Sequence, residues 1–407
     1  MTKHEASQTS LLLWPMDVAL GTCLVLGGVQ PWATPYAVAL VVAAYFLTFR
    51  RVPRIDRTNG IALVLAVWII IVLGLNPLTS TGLLESSFAI PGLVLLVFLR
   101  DALQQGYPAR RLAKFLVLSA IVAAASVVLF AQVPEFSNIE LLNRTNSGVT
   151  TRASLSWINI NWAAYVIASG ILVIFATVAA GRATSRPLRR WEFFVLVLGI
   201  AAGLGAINLT GTRGALVSIG FALVAGLGAW LFPRFVRWTL SLLIIFAFIP
   251  PATAAVVKVI SLPTFADLLG RGDSDVLSGR ALIWEDAQEV AADRPVTGYG
   301  VGGYLEVMPT GSSAHNIALS LQIGIGLVGL LLYLALVLSC LADSAVTRGN
   351  KHQSLVVAVI LLAGLLPIWL TSSWEWAPTN LAVLALASSA PLMGRVRSGT
   401  PQVGGPG

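Results

Sequence analysis

Long apolar runs recur along the whole chain and constrain its fold more than any other feature. A helix that crosses a bilayer needs roughly 17 to 25 mostly apolar residues, and the sequence contains about twelve such runs. They lie approximately at 11–29, 34–49, 60–76, 83–99, 113–131, 157–180, 191–209, 213–231, 238–260, 315–340, 353–371 and 378–393. Because 57% of the residues are hydrophobic and only 11% are charged, the composition excludes a soluble globular protein. The sequence predicts an all-α polytopic membrane protein with about twelve spans in a single integral membrane domain, residues 1–407.

The basic residues alternate between successive loops and predict the orientation of the chain. If the N-terminus is cytoplasmic, 19 of the 26 Lys and Arg residues fall on the cytoplasmic side, as the positive-inside rule requires. The seven exceptions are Arg144, Arg152, Arg213, Lys258, Arg271, Arg280 and Arg294. We therefore expect two cytoplasmic termini and a first segment that stays in the membrane instead of being cleaved as a signal peptide. Topology also explains the net charge of +8, so no nucleic-acid partner is expected.

Two polar loops on the opposite side are the places to look for function. The larger covers approximately 261–314, between two late spans, and the smaller covers 132–156. The C-terminal residues 398–407 have the composition of a disordered tail. Cys23 and Cys340 both fall in apolar segments, which indicates small buried hydrophobes and not a disulfide or metal pair.

Arg213 lies between two predicted spans with almost no loop around it. An arginine at the bilayer centre costs at least ~2.5 kcal/mol on insertion scales, so such residues usually face a polar cavity and bind something. The alternative is that the side chain reaches the interface and only anchors the helix.

Arg280 lies at the start of a short helix predicted within the larger loop, over residues 281–292, which Pro295 limits. A cation there opposes the helix dipole at a cost of roughly 0.3 to 1 kcal/mol, which favours a bound anion or carboxylate nearby. The alternative is an ordinary ion pair within the loop. The acidic residues for such a pair are Asp273, Asp275 and Glu285. Other acidic residues expected to be solvated or paired are Asp286, Glu289 and Glu375.

His315 is the only histidine predicted on the side of the two polar loops, beside Asn316 at the start of a span. An imidazole with a pKa near ~6.5 can accept a proton at neutral pH, so His315 is a candidate general base. The alternative is a purely structural histidine.

Glycines follow the predicted loop helix in the order Gly298, Gly300 and Gly303 and match G-x-G-x-x-G. A dinucleotide site is excluded, because no hydrophobic strand leads into the motif and no βαβ unit surrounds it. The glycines either form a tight turn back toward the membrane or let backbone amides approach a phosphate.

The ordered motifs resemble the O-antigen ligase and polysaccharide polymerase superfamily over roughly 205–335. The residues that carry the resemblance are Thr212-Arg213-Gly214, Ser278-Gly279-Arg280 with Trp284, Gly298-Tyr299-Gly300, and His315-Asn316 followed by Gly324, Gly326 and Gly329. The resemblance implies a glycosyltransferase of the bacterial inner membrane. It would move a glycan from a polyprenyl (undecaprenyl) diphosphate to an acceptor hydroxyl at the periplasmic face, with inversion and without cofactor or metal.

The resemblance also implies roles for individual residues. Arg213 and Arg280 would bind the diphosphate, and His315 would be the catalytic base. Guanidinium groups suit this task because they neutralise a diphosphate by two-point contact. Weaker candidates for donor binding are Arg144, Arg152, Asn316 and Gly300.

Several functional alternatives stay open. A ligase would transfer the glycan to lipid A-core, whereas a polymerase would extend another carrier-linked repeat; one dominant loop favours the ligase. A lipid-linked glycan transporter or flippase is disfavoured, because the sequence indicates neither internal repeats nor broken helices. The Asp273-Ser274-Asp275 pair keeps a metal-assisted variant open. In every case the other partners are membrane lipids.

Overall fold

The protein is helical throughout the part of the chain that the structure, a computed structural model, describes. These residues are 13–29, 33–77, 80–132, 160–181, 190–249, 280–309, 313–346 and 351–390. The helices are α1 (Trp14–Val29), α2 (Thr34–Phe49), α3 (Arg57–Leu75), α4 (Ser80–Gln104), α5 (Ala109–Gln132), α6 (Ile160–Gly181), α7 (Arg190–Thr210), α8 (Arg213–Leu231), α9 (Pro233–Ala247), α10 (Arg280–Asp293), α11 (Tyr304–Val307), α12 (Ile317–Val346), α13 (Lys351–Thr371) and α14 (Pro378–Ser388).

Each apolar run predicted from the sequence overlaps one of these helices, namely α1 to α9 and α12 to α14. Within the described ranges, 7 helices are long and apolar enough to cross a membrane: α3, α4, α5, α6, α8, α12 and α13. Four shorter apolar helices lie within α1, α2, α7 and α14. The multi-pass, all-helical class is therefore confirmed, and the number of about twelve spans stays a prediction.

Local sequence explains where several helices begin. The carboxylate of Asp56 accepts a hydrogen bond from the Asn59 amide at 2.8 Å and caps the first turn of α3. Pro233 and Pro378 are the first residues of α9 and α14, where a missing N–H leaves no hydrogen bond unmade. The loop helix predicted over 281–292 is confirmed as α10, which ends two residues before Pro295.

Small residues allow α8 and α13 to approach closely. A Cβ added at Gly226 would lie 2.6 Å from the Ile360 side chain, and the Ser218 hydroxyl donates to the Gly364 carbonyl. Small side chains at such crossings let helix backbones pack tightly where lipid supplies no hydrophobic driving force. This contact fixes α8, and with it Arg213, against α13.

Charged residues that the sequence places on one side of the membrane meet at one end of the bundle. The Arg100 guanidinium is 1% exposed and contacts the carboxylates of Asp56 at 2.9 Å and Asp343 at 2.8 Å. Arg111 pairs with Asp17 in the same way. Since Asp56 precedes α3 and Asp343 lies near the C-terminal end of α12, these two helices run antiparallel, as the alternating loops predict.

Helix α12 is broken at Gly326, its tenth residue, roughly 14 Å from its first residue at 1.5 Å per residue. Gly326 has φ 67° and ψ −176°, a conformation that is essentially restricted to glycine. A Cβ there would lie 2.0 Å from the Val296 carbonyl oxygen. The expectation of unbroken helices was therefore wrong. The break arises because another stretch of backbone packs directly against it.

That stretch is the glycine-rich segment after α10, residues 295–303. Its backbone pairs with the opened turn of α12: the Tyr299 amide donates to the Ile323 carbonyl at 2.7 Å, and the Leu327 amide donates to the Pro295 carbonyl at 2.7 Å. The indole of Trp68 donates to the Ile325 carbonyl at 2.8 Å. These bonds satisfy backbone groups that a broken helix would otherwise leave unpaired.

Candidate functional site

Arg213 is the first residue of α8 and follows a tight turn from α7. Gly211 takes a left-handed φ of 65° in this turn, and the Thr212 hydroxyl donates to the Asn161 side-chain oxygen at 3.0 Å. The turn is therefore tied to the start of α6. The Arg213 side chain is exposed, and within the described residues it forms no ion pair. An exposed cation at this position is available to an anionic ligand.

His315 takes a left-handed backbone conformation, with φ 49°. Such a conformation is uncommon outside glycine and often marks functional positions where the surroundings hold the backbone in place. The following residue, Asn316, caps α12: its side-chain oxygen accepts from the amides of Ala318 at 2.9 Å and Leu319 at 3.2 Å. The cap fixes the chain direction immediately after the imidazole.

The end of α13 connects these two regions. A Cβ at Gly214 would lie 2.6 Å from the Thr371 hydroxyl, so the start of α8 contacts the last residue of α13. On the other side, the Asn316 side-chain amide donates to the Leu370 carbonyl at 3.5 Å. The neighbours of Arg213 and His315 therefore contact consecutive residues of one helix. We call this end of the bundle, opposite the Arg100 ion pairs along α12, the site end.

Aromatic side chains border the site end. Trp374, in the connection between α13 and α14, lies edge-on to Trp162 with 6.3 Å between ring centroids and 5.7 Å from the Tyr165 ring. Trp374 is 1% exposed, and its indole nitrogen has no hydrogen-bond partner among the described residues. Sequence analysis of single motifs misses these residues because they lie on α6 and the α13–α14 connection, outside the motif-bearing region.

Helix α10 is docked beside His315 by Trp284. The Trp284 indole is 5% exposed and donates to the Ala314 carbonyl at 2.7 Å. Arg280 begins the same helix one turn earlier, as the sequence predicts. The Arg280 side chain lies outside what the structure describes, as do Arg144, Arg152 and the Asp273-Ser274-Asp275 pair.

The glycine-rich segment forms the predicted turn back toward the bundle. Gly298 and Gly300 have φ values of 66° and 96°, and the Gly300 amide donates to the Gly324 carbonyl at 2.8 Å. That amide is therefore already used within the protein. The guanidinium of Arg294 lies over the Tyr299 ring, 4.7 Å from its centroid, and stabilises the start of the turn. Contacts of Gly300 and Asn316 with a donor stay predictions.

A small cavity beside the site end contains two carboxyl side chains. Glu85 of α4 and Glu375 of the α13–α14 connection line it together with Ser320, Gly302 and Gly324 among others. Glu375 is 5% exposed, and its Oε2 atom has no hydrogen-bond partner among the described residues. Burial raises the pKa of Glu375 to about 8, with a further contribution from the nearby Glu85 carboxyl.

The expectation that Glu375 is solvated or paired was therefore wrong. By contrast, Glu285 and Glu289 are exposed on α10, as expected. One sequence signal pointed to the burial of Glu375: it is a lone acid between Trp374 and Trp376 in a short connection between two apolar helices. Ionisable residues in such apolar surroundings are by default functional candidates.

The fold defines a multi-pass helical membrane protein, and the candidate site residues Arg213 and His315 lie at one end of its helix bundle. Residues 198–334 match the family model described as O-antigen ligase, and this segment contains Arg213, Arg280 and His315. The resemblance to the O-antigen ligase-like superfamily is thereby confirmed, and its members are glycosyltransferase-like membrane enzymes. No curated protein matches the chain.

Proposed function

We propose that this protein is an O-antigen ligase-like glycosyltransferase that acts at the site end. Its donor is a glycan linked to a polyprenyl diphosphate, and its acceptor is a hydroxyl of a lipid-linked core sugar. The oxygen of this hydroxyl attacks the anomeric carbon, and the bond between that carbon and the diphosphate oxygen breaks. The electron pair leaves with the diphosphate, and the new glycosidic bond has inverted configuration.

The diphosphate carries the charge that develops during this reaction, so the first task of the site is to neutralise it. Arg213 is exposed at the start of α8, where its guanidinium can contact two phosphate oxygens at once. Arg280 begins α10, which Trp284 docks next to residue 314. We assign the diphosphate to these two arginines, because fixed cations aimed at a leaving group lower the barrier without reorganisation.

The second task is removal of the acceptor proton, which we assign to His315. Its Nδ1 atom lies 3.4 Å from the Ser313 hydroxyl oxygen, so Nε2 is the ring nitrogen directed away from that contact. The left-handed backbone of His315 and the Asn316 cap fix the main chain that carries the ring. General-base catalysis of this kind contributes about 10²- to 10⁴-fold to a rate.

The observation that carries this proposal is the meeting of the two motifs at the end of α13. Arg213 and His315 are far apart in sequence, yet Gly214 contacts Thr371 and Asn316 contacts Leu370. This proximity supports the assignment of Arg213 to the leaving group and of His315 to the nucleophile. The family match over 198–334 covers both residues and supports the same reaction class.

The break in α12 is a feature that a transporter would share. Discontinuous helices in transporters expose backbone groups that bind the substrate or ion. Here the carbonyls of Ile323, Gly324 and Ile325 accept hydrogen bonds from Tyr299, Gly300 and Trp68. The break therefore serves to anchor the glycine-rich segment, and transfer is favoured over transport.

The products distinguish ligase from polymerase. Purified protein in liposomes receives carrier-linked repeats alone, or the same repeats with a lipid A-core acceptor, and the products are separated by size. A ligase gives no product until the lipid acceptor is added. Lengthening of carrier-linked chains without that acceptor would replace the ligase assignment with a polymerase.

A further inference from the structure

Three serine hydroxyls lead away from the proposed base. The Ser313 oxygen lies 3.4 Å from His315 Nδ1 and 3.3 Å from the Ser373 hydroxyl oxygen. The Ser320 and Ser373 hydroxyl oxygens are 2.5 Å apart. These residues come from three places in the chain, the segment before α12, the first turns of α12 and the α13–α14 connection, so the chain of hydroxyls is a tertiary feature.

The far end of this chain opens into the carboxyl cavity. Ser320 lines the cavity together with Glu85 and Glu375. Glu375 is 5% exposed, and its Oε2 atom has no hydrogen-bond partner among the described residues. A buried polar atom without a partner is costly and calls for an explanation, such as a catalytic role.

We propose that Glu375 is a positioning residue for His315 and acts through the hydroxyls of Ser320, Ser373 and Ser313. This inference rests on the proposed function. The carboxyl cavity is the end of a proton relay whose other end is the imidazole. Glu375 does not touch the substrate.

The direction of the hydroxyls follows from the protonation state of the carboxyl. In the relay the Glu375 side chain turns toward Ser320 within the cavity that both residues line. The carboxylate then accepts from Ser320, so Ser320 accepts from Ser373, Ser373 from Ser313, and Ser313 from His315 Nδ1–H. The Nε2 atom then has a lone pair for the acceptor proton. A carboxylic acid instead donates to Ser320, and the donor and acceptor roles of every hydroxyl in the chain are reversed. Ser313 then donates to Nδ1, so the proton of the neutral imidazole lies on Nε2.

The proton balance of the step is complete. During transfer the acceptor proton binds Nε2, the Nδ1 proton moves to Ser313, and one proton shifts along each hydroxyl until the carboxylate is protonated. The imidazole ends neutral, the carboxyl ends protonated, and the leaving diphosphate carries the negative charge that the carboxylate has lost. The same shift in reverse returns the proton to water at the site once the product has left.

The other ionisable groups around Glu375 do not replace this role. Glu85 is the acidic neighbour on α4, and the Tyr333 hydroxyl of α12 donates to the Glu375 backbone carbonyl at 3.3 Å. On α14, Asn380 donates to the same carbonyl at 2.9 Å and has no titrating side chain. No Lys, Arg or His is among the described residues that line the cavity.

The dependence of glycan transfer on pH tests the relay. Transfer by the wild-type protein in liposomes is measured from pH 6 to 9, and its rate should rise as the carboxyl ionises. In Glu375→Gln the increase of the transfer rate toward pH 9 should disappear, and the rate at pH 9 should be about tenfold or more below that of the wild-type protein. Glu375→Asp should keep the rise, because a shorter carboxylate can still accept from the chain.

Ser373→Ala cuts the relay without touching either end and decides the outcome if Glu375→Gln fails to fold. It should lose the same alkaline rise, and Glu375→Gln with Ser373→Ala together should cost no more than either change alone. Glu289→Gln, on the exposed side of α10, is the matched control and should leave the profile unchanged. Wild-type profiles in Glu375→Gln or Ser373→Ala would overturn the relay, whereas absence of transfer by the wild-type protein would overturn the proposed function itself.

Discussion

The indole nitrogen of Trp284 lies 2.7 Å from the backbone carbonyl oxygen of Ala314, the residue that precedes His315. This hydrogen bond joins the large loop to the start of α12. It explains how α10 and the proposed base keep a fixed relation although a segment of chain separates them. Around it, Ala287, Ala291 and Met308 form a small buried cluster with Leu319 and Ile323 of α12.

Replacing Trp284 by Phe should keep most of the apolar packing and remove the hydrogen bond. The Ala314 carbonyl would lose its donor, which costs about 1 to 3 kcal/mol when the group stays buried. We expect a lower melting temperature and a transfer rate reduced by about tenfold, since small displacements of catalytic groups are costly. Trp230→Phe is the control, because Trp230 is 61% exposed on α8. Equal rates for the two variants would contradict the positioning role of Trp284.

Arg213→Lys tests the two-point contact with the diphosphate. An ammonium group keeps the charge but cannot reproduce the paired hydrogen bonds of a guanidinium. We expect the KM for the carrier-linked donor to rise about 10- to 100-fold, equivalent to roughly 1.5 to 3 kcal/mol for hydrogen bonds to a charged group. Arg234→Lys, an equally exposed arginine in the first turn of α9, should leave the KM unchanged. An unaltered KM in Arg213→Lys would remove the diphosphate assignment.

The fold could be predicted well from the sequence. The thickness of the bilayer fixes the length of the spanning helices, and the basic residues of the loops indicate on which side of the membrane each loop lies. Each apolar run corresponds to a helix, and ion pairs such as Arg100 with Asp343 join ends that the charge pattern places on one side. The break at Gly326 was missed for a physical reason. A glycine in an apolar run is compatible with an unbroken helix, and the break depends on residues 295–300 packing against it.

The site could be predicted only in part. His315 and Arg213 could be identified as candidates from the sequence, because a polar residue beside an apolar run is unusual and because the motifs have a recognisable order. The hydroxyls of Ser320 and Ser373 carry no such signal, since serine is common in membrane helices and their contact joins positions 53 residues apart. Glu375 was misjudged because a short polar connection suggests exposure, whereas residues of other helices bury this side chain; the flanking Trp374 and Trp376 were the one local signal.

Gly326→Ala should destabilise the protein strongly. The added Cβ would lie 2.0 Å from the Val296 carbonyl oxygen, and the backbone conformation there costs roughly 1 to 3 kcal/mol for any other residue. We expect a large fall in the melting temperature measured by thermal unfolding in detergent. Gly220→Ala on α8 is the control, since nothing lies within 4 Å of its added Cβ. Similar melting temperatures for both variants would show that residues 295–300 do not pack against the break.

The stability of the protein should depend on the protonation of Glu375. Its pKa is raised from 4.5 to about 8 by burial, so the folded state holds a proton that the unfolded chain releases. Stability should therefore be highest below the unfolded value and fall as the pH rises from about 4.5 to about 8. Glu375→Gln cannot ionise and should flatten this fall in the melting temperature. An equally steep fall in the variant would assign the pH dependence to other groups.

Glycan transfer by His315→Ala tests the proposed function most directly. The protein is reconstituted in liposomes with carrier-linked donor and lipid acceptor, and product is measured beside His352→Ala, a change at an exposed histidine near the start of α13. Thermal unfolding of both variants checks that each is folded. We predict that His315→Ala loses transfer by about 10²-fold or more, while His352→Ala keeps the wild-type rate. Wild-type transfer by a folded His315→Ala protein would contradict the assignment of the base and of the site around it.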